Sequence, residues 1–122
     1  MAQPRALVAL RHMLDHAREA HAMAAGRTRA DLDSDRQLNL SLVRLLEVIG
    51  EAATRIPPEQ RARLPDVPWS EIVRLRNRLI HGYDTVDFDI VWQIITRDLP
   101  PLIHALQQVV AAAERDDAGQ AP

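Results

Sequence analysis

Hydrophobic residues recur at helical spacing over most of the chain, and the pattern predicts four main helices. The first runs from Pro4 to about Ala24 and the second from about Ser34 to Arg55, each with apolar residues at intervals of three and four positions. A third, short helix begins after Pro68. It is expected to end near Gly82, because glycine favours the end of a helix.

The fourth helix is expected to begin after Asp87, whose side chain can cap it. Pro100 and Pro101 lie inside it and should kink it, because proline lacks the amide donor of the helical hydrogen bond. Residues 116–122 are polar and small, a composition typical of a flexible tail. The expected organisation is therefore one domain over residues 1–115, followed by a tail.

Polar connectors join the helices. The stretch after Gly26 ends the first helix, and Thr28 with Asp31 or Ser34 can cap the second. Residues 56–68 contain four prolines and cannot form one long helix, although a short helical turn can begin there on a proline. With no sustained alternation typical of strands, the pattern predicts an all-α, up-and-down bundle of four main helices plus a short helical turn. The wide apolar stripes on the second and fourth helices are also suited to a dimer interface.

Composition excludes several classes of protein. The 122 residues include no cysteine, so disulfide frameworks and thiolate metal sites are ruled out and a reducing cytoplasm is the expected location. No stretch has the roughly 20 apolar residues of a membrane span. The formal net charge is −2 and all 15 basic residues are arginine, so binding to nucleic acid would need a local arginine cluster.

Such a cluster lies where the aromatic residues are concentrated. All four aromatic side chains fall between Trp69 and Trp92, and Trp69, Phe88 and Trp92 are expected to brace the short helix. The same window contains five polar residues that are candidates for chemistry: Arg74, Arg76, Asn77, Arg78 and His81. These residue types suit RNA cleavage, because a histidine can move protons near neutral pH and an arginine can stabilise the extra negative charge on the phosphate.

The spacing of these residues leaves two arrangements open. Arg76 and His81 would lie about 140° apart around an unbroken helix, not on one face. Either the helix loosens near Gly82, or the site is assembled from two copies of the segment, which is the arrangement we favour. A plainer interpretation is a solvated helix on which His81 interacts with the helix dipole.

The ordered motifs of the chain resemble the HepT family, ribonuclease toxins of the HEPN superfamily. The resemblance covers about Leu7 to Val110 and rests on IGEA at 49–52, PW at 68–69, RNRLIHGYDTVD at 76–87 and VW at 91–92. It implies a HEPN-like helical homodimer in which two motifs form one cleft and cleave RNA without a metal or other cofactor. It also implies a partner, an MntA-type nucleotidyltransferase that acts as antitoxin.

Carried over position by position, the resemblance makes Arg76 and His81 the catalytic pair, with Asn77 as the polar residue after the arginine. Tyr83 matches the tyrosine that the antitoxin AMPylates to silence the toxin. An adenylate two residues from His81 would fill the cleft and occupy the arginines that a phosphate needs.

Three supporting assignments have plainer alternatives. Glu51 can pair with Arg76 from the neighbouring helix, and Gly50 would let another helix approach closely; otherwise Glu51 is an exposed carboxylate. Arg74 and Arg78 can bind RNA phosphates outside the cleaved bond or form a solvated face. Metal ligation by the three histidines of the first helix is disfavoured, since no acidic partner pattern accompanies them.

The sequence therefore predicts an endoribonuclease that is the toxin of a type VII-like toxin–antitoxin module. The alternative is a non-catalytic nucleotide- or substrate-binding module that docks on a minimal nucleotidyltransferase. The expected partners are RNA, a second copy of the chain and the antitoxin, with no membrane contact.

Overall fold

A computed structural model describes the backbone of residues 4–81 and 85–119. The described side chains exclude those of Pro4, Arg76, Ile80, His81 and residues 117–119. Helices account for 81% of this part of the chain, which confirms the predicted all-α class.

Two long antiparallel helices form the centre of the fold. Helix α1 spans Pro4–Ala24 and α3 spans Arg36–Thr54, with one short turn of helix between them, α2 at Asp31–Ser34. Gly26 lies just after the end of α1 with a φ of 76°, a left-handed conformation that glycine adopts without strain. Asp35 caps the start of α3, and its carboxylate accepts a hydrogen bond from the backbone N–H of Leu38.

Four short elements come next. They are α4 at Pro58–Ala62, α5 at Trp69–Val73, α6 at Leu75–Leu79 and the strand β1 at Ile80–His81. Of these, α5 and α6 pack against α3. Strand β1 pairs antiparallel with β2, Thr85–Val86, with Ile80 opposite Val86 and His81 opposite Thr85.

The last helical segment runs to the end of the described chain but changes type once. Helix α7 spans Phe88–Gln93 and begins at Asp87, whose side chain accepts from the N–H groups of Asp89 and Ile90. A π-helical segment at Ile94–Asp98 comes after it, and α8 continues over Leu99–Gly119. Helix α1 therefore lies between α3 and α8, with which it makes most of its contacts.

One hydrophobic core joins these elements. Its most buried large side chains are Leu10, Met13, Leu32, Leu42, Leu46, Ile49, Ile56, Leu79, Ile94, Ile95, Leu99 and Leu106. Burying a leucine or isoleucine side chain contributes roughly 1.5–3 kcal/mol. The buried side chains of Leu75 and Leu79 therefore fix α6 to the rest of the domain.

The structure corrects several local predictions. Asp35 caps α3, not Thr28, Asp31 or Ser34, because the chain between α1 and α3 makes an extra helical turn before α3 begins. The predicted third helix is broken at Arg74 and ends at Leu79. Two short strands were not predicted.

The fourth helix and the tail also differ in detail from the predictions. The irregularity expected near the two prolines takes the form of the π-helical segment just before them. Backbone helix continues to Gly119, beyond the predicted start of the tail at residue 116. The flexibility of that tail stays a prediction. No helix within the described ranges is both long enough and apolar enough to cross a membrane.

Candidate active site

The arginine-rich segment consists of two short helices that meet at Arg74. Helix α5 ends at Val73, α6 starts at Leu75, and the N–H of Arg78 donates to the carbonyl oxygen of Arg74 at 3.0 Å. Leu75 and Leu79 are buried on the core side. The polar residues of α6 are therefore held on a short, firmly seated helix.

The backbone leaves the helix before it reaches His81. Helix α6 ends at Leu79, and His81 belongs to strand β1, opposite Thr85. The N–H of Asp87 donates to the carbonyl oxygen of Leu79 at 2.9 Å, which closes the segment between the two strands. Because His81 is not helical, the angle of about 140° from Arg76 does not apply, and the first of the two open arrangements agrees with this backbone.

Some predicted site groups lie outside the described part of the structure. These are the side chains of Arg76 and His81, and the whole of Tyr83. Their assigned roles stay predictions. Asn77, between the two catalytic candidates, is exposed.

The other two arginines of the segment have contacts that can be described. Nε of Arg74 donates to the carbonyl oxygen of Ser70 at 3.0 Å. Nη2 of Arg78 donates to Oδ2 of Asp98 at 3.3 Å. Sequence reasoning missed Asp98, which lies 20 residues away. The signal in the sequence was the pair Pro100 and Pro101, which indicates an irregular helix near Asp98.

Gly50 provides the close approach expected of it. A Cβ atom at this position would lie 3.1 Å from the carbonyl oxygen of Ile72 and 3.6 Å from the Cβ of Leu75. The backbones of α3 and α5 therefore meet directly, which confirms the prediction that Gly50 lets another helix pack against α3.

Glu51 contacts a different arginine among the described side chains. Its Oε1 lies 3.5 Å from Nη1 of Arg44, and both side chains are more than half exposed. Glu51 also lines an open groove of about 760 Å³ between α1 and α3, together with residues that include Val8, His12 and Arg55. Its predicted pairing with Arg76 involves a side chain outside the described set and stays a prediction.

The aromatic residues around the site support it from the core side. Nε1 of Trp69 donates to the carbonyl oxygen of Leu64 at 2.9 Å, which fixes the start of α5 to the preceding connector. Phe88 and Trp92 are partly buried and pack against the core cluster. These contacts agree with the prediction that the three side chains brace the segment.

A network of acidic and basic side chains holds the start of α7. Nε of Arg29 donates to Asp89 at 2.6 Å, and Nη1 of Arg29 lies 3.1 Å from Asp33. Both carboxylates raise the pKa of Arg29, and the hydrogen bond with Asp89 has the largest effect. The connector after α1 is thereby linked to the helix that comes after the candidate site.

The histidines of α1 make a local contact. Nδ1 of His16 donates to the carbonyl oxygen of His12 at 2.6 Å, and the two rings meet edge to face. Among the residues that the structure describes, no three histidine or acidic side chains are grouped as a metal site would require.

Comparison with known proteins identifies the family. The profile of the Ribonuclease HepT-like family matches residues 13–109. The chain belongs to this family. The match includes Gly50, Glu51 and the complete segment from Trp69 to Trp92. Membership confirms the predicted family and, with it, the class of enzyme, an endoribonuclease.

Individual relatives agree with this HepT-like assignment. "Probable ribonuclease HepT" of Thermococcus cleftensis is 38% identical over 59% of this chain and 66% of its own length. "Putative RNase TTE0752" of Caldanaerobacter subterraneus is 34% identical over 83% of this chain and 90% of its own. "Putative RNase MJ0127" of Methanocaldococcus jannaschii is 34% identical over 68% and 69%. No solved structure matches the HepT-like chain.

Proposed function

We propose that this protein is the toxin of a toxin–antitoxin module. It cleaves RNA without a metal at a site formed by two copies of the chain. An MntA-type nucleotidyltransferase silences it by AMPylation of Tyr83. The observation that carries the proposal is the course of the backbone from Arg76 to His81, within a chain of the HepT-like family.

Arg76 and His81 divide the chemical work. The ribose 2′-oxygen attacks the adjacent phosphorus, the bond from phosphorus to the 5′-oxygen breaks, and the products are a 2′,3′-cyclic phosphate and a 5′-hydroxyl. Histidine accepts the proton of the 2′-hydroxyl or supplies one to the leaving 5′-oxygen. The guanidinium binds the phosphate oxygens as negative charge develops on them.

The end of α6 at Leu79 supports this division of roles. A five-residue helix followed at once by an extended strand allows Arg76 and His81 to approach one phosphate, which an unbroken helix would not allow. The Asp87–Leu79 hydrogen bond and the pairing of β1 with β2 restrain this course.

Two copies of the chain account for the need for both an acid and a base. Each chain contributes one His81, whereas the reaction needs a group that accepts a proton and another that donates one. A two-fold arrangement of the segment supplies both histidines and doubles the arginines at the phosphate.

Tyr83 is suited to the control of this site. It lies within the three residues that connect β1 to β2, two positions after His81. An adenylate there adds a bulky group and negative charge beside the arginines that bind RNA.

Mixed dimers test the shared site. Co-expression of the wild type with an Arg76→Ala, His81→Ala double variant, each with its own affinity tag, yields heterodimers that retain one arginine and one histidine. If one shared cleft needs both histidines, the heterodimer should cleave RNA at far less than half of the wild-type rate. A heterodimer with about half of the wild-type rate would show that each chain carries its own separate site.

Co-expression with a nucleotidyltransferase encoded beside the gene tests the regulation. Growth inhibition should disappear, and mass spectrometry should find adenylate on Tyr83. The Tyr83→Phe variant keeps the ring but removes the acceptor hydroxyl, so it should stay toxic in the presence of the antitoxin. A wild-type chain that is harmless by itself and never modified would instead indicate a non-catalytic binding module.

A further inference from the structure

The carboxylate of Asp98 contacts Arg78 across two elements of the fold. Oδ2 of Asp98 is 3.3 Å from Nη2 of Arg78, with 43% and 36% of the two side chains exposed. Among the described residues, Asp98 provides the one polar contact of the Arg78 side chain. It uses one of the five N–H donors of the guanidinium and leaves the others available to a ligand.

Asp98 reaches α6 from the irregular part of the last helix. It is the final residue of the π-helical segment, in which the N–H of Leu99 donates to the carbonyl oxygen of Ile94, five residues earlier. The two prolines after Leu99 provide no N–H to the carbonyls of Thr96 and Arg97, so regular α-helical pairing cannot be completed there. One extra residue in a turn changes the direction of later side chains by about 100°. Short π-helical segments occur often at functional sites.

Arg74 and Arg78 lie on the same face of the segment. They are four residues apart, and the hydrogen bond from the N–H of Arg78 to the carbonyl oxygen of Arg74 continues the helical turn between them. Among the described residues, Arg74 is likewise held by one contact, from Nε to the carbonyl oxygen of Ser70. Within that part of the chain each guanidinium has one polar contact and further N–H donors, and the two arginines lie on either side of Arg76 in the sequence.

The charge of this region favours an anion. Residues 69–81 contain three arginines and one acid, Glu71, whereas the whole chain has a formal net charge of −2. Asp98 offsets part of the excess positive charge without removing it. A phosphate can therefore bind to the remaining N–H donors of Arg78 while Asp98 stays hydrogen-bonded to the other side of the guanidinium.

We propose that Asp98 is a positioning residue, which holds Arg78 where it binds the RNA phosphate next to the cleaved one. The proposal rests on the proposed ribonuclease function and adds a residue to its substrate site. A partly exposed ion pair contributes little to folding stability, so its effect should appear in RNA binding. Because Asp98 already holds Arg78 in place, the Arg78 side chain loses less conformational freedom when RNA binds.

A double-mutant cycle tests this assignment. Binding of a fluorescein-labelled, single-stranded RNA of about 12 nucleotides is measured by anisotropy in the His81→Ala background, where RNA is not cut. Arg78→Ala and Asp98→Ala should each raise the Kd by about five-fold, and the double variant should be no weaker than Arg78→Ala alone. Arg78→Ala should also reduce the slope of log Kd against log salt by about 0.7.

Kinetics with His81 intact separate binding from chemistry. Both single variants should raise KM by about the same factor as Kd while kcat changes by less than about two-fold, because the phosphate contact is made in the ground state and the transition state alike. The matched control is Glu114→Ala, which breaks the Arg11–Glu114 ion pair. That pair has a length of 3.2 Å and an exposure similar to that of the Arg78–Asp98 pair, and both of its residues are distant in sequence from residues 69–81. Glu114→Ala should change neither Kd nor KM.

Three results would overturn the assignment. Tighter RNA binding by Asp98→Ala would show that Asp98 competes with phosphate for Arg78. Additive effects in the cycle, or a lower melting temperature with unchanged Kd and KM, would show that Asp98 does not act through Arg78. If Asp98→Ala does not fold, Asp98→Asn keeps the shape and removes the charge, and the same cycle is measured with it. A wild-type protein that neither binds nor cleaves RNA refutes the proposed function as well, whereas cleavage without coupling refutes the role of Asp98 alone.

Discussion

A Cβ atom on Gly50 would lie only 3.1 Å from the carbonyl oxygen of Ile72. The neighbouring atom belongs to the backbone of a helix, which cannot rotate away as a flexible side chain can. The position of α5, and of α6 directly after it, therefore depends on the absence of a side chain on α3. Since α6 carries Arg76, this contact links the packing of the core to the candidate active site.

Replacement of Gly50 by alanine should affect activity more than stability. The added methyl group must displace α5 by a few tenths of an ångström, and overpacking of this kind costs roughly 1–3 kcal/mol. Alanine favours the helix by up to about 1 kcal/mol over glycine, so the net loss of unfolding free energy should be about 1 kcal/mol. RNA cleavage should fall about ten-fold or more, because catalysis is sensitive to small displacements.

Gly26→Ala is the matched control for this substitution. Gly26 has a φ of 76°, and a Cβ atom there would have no neighbour within 4 Å, so alanine creates backbone strain without crowding. It should cost about 1 kcal/mol of stability as well and leave cleavage unchanged. Equal losses of activity in the two variants, measured at a temperature where both are folded, would mean that the Gly50 contact does not position the site.

Removal of Arg29 should loosen the start of α7. Arg29→Ala loses the contacts to Asp89 and Asp33 and leaves both carboxylates without that cation. The melting temperature should fall by a few degrees at low ionic strength and by less at about 0.5 M salt, which screens exposed charges. Arg18→Ala is the control, since Arg18 is exposed and has no polar contact within the described residues. Equal shifts in the two variants would contradict the assigned role of Arg29.

The cap of α3 should make stability depend on pH in the acidic range. The hydrogen bond from the N–H of Leu38, followed by that from Arg27, holds the pKa of Asp35 below its ordinary value of 3.8. The unfolded chain therefore binds this proton first as the pH falls. The stabilisation is fully present above the unfolded pKa and is lost as the pH drops through the folded one.

Urea unfolding of the wild type and of Asp35→Asn at about pH 6 and about pH 3 measures this contribution. Asparagine is also a good N-cap but does not titrate, so the variant should lose less stability between the two pH values than the wild type does. An identical loss in both proteins would show that Asp35 is not the group responsible.

The start and end of α1 and the start of α7 could be predicted from local signals. A proline at the start of α1 and a glycine soon after its end act within a few residues of the chain, and so does the cap at Asp87. Each long helix also repeats its apolar pattern often enough to define a face. These signals were sufficient for the all-α class.

The short elements around the site could not be predicted in the same way. Helices of five residues are unstable alone and form only because tertiary contacts hold them. The break at Arg74 and the strand that contains His81 depend on Gly50, on buried Leu79 and on pairing with Thr85. The contact between Asp98 and Arg78 spans 20 residues and depends on the π-helical segment, which periodicity does not reveal.

Cleavage of RNA by the purified protein in the presence of a chelator tests the central claim most directly. Wild type, Arg76→Ala and His81→Ala are incubated with single-stranded RNA in excess EDTA, and the product ends are identified by mass spectrometry. We expect fragments from the wild type that end in 2′,3′-cyclic phosphate. Each variant should cleave at least about 100-fold more slowly, with an unchanged melting temperature. Cleavage by His81→Ala at the wild-type rate, or a wild-type activity abolished by EDTA, would contradict the account.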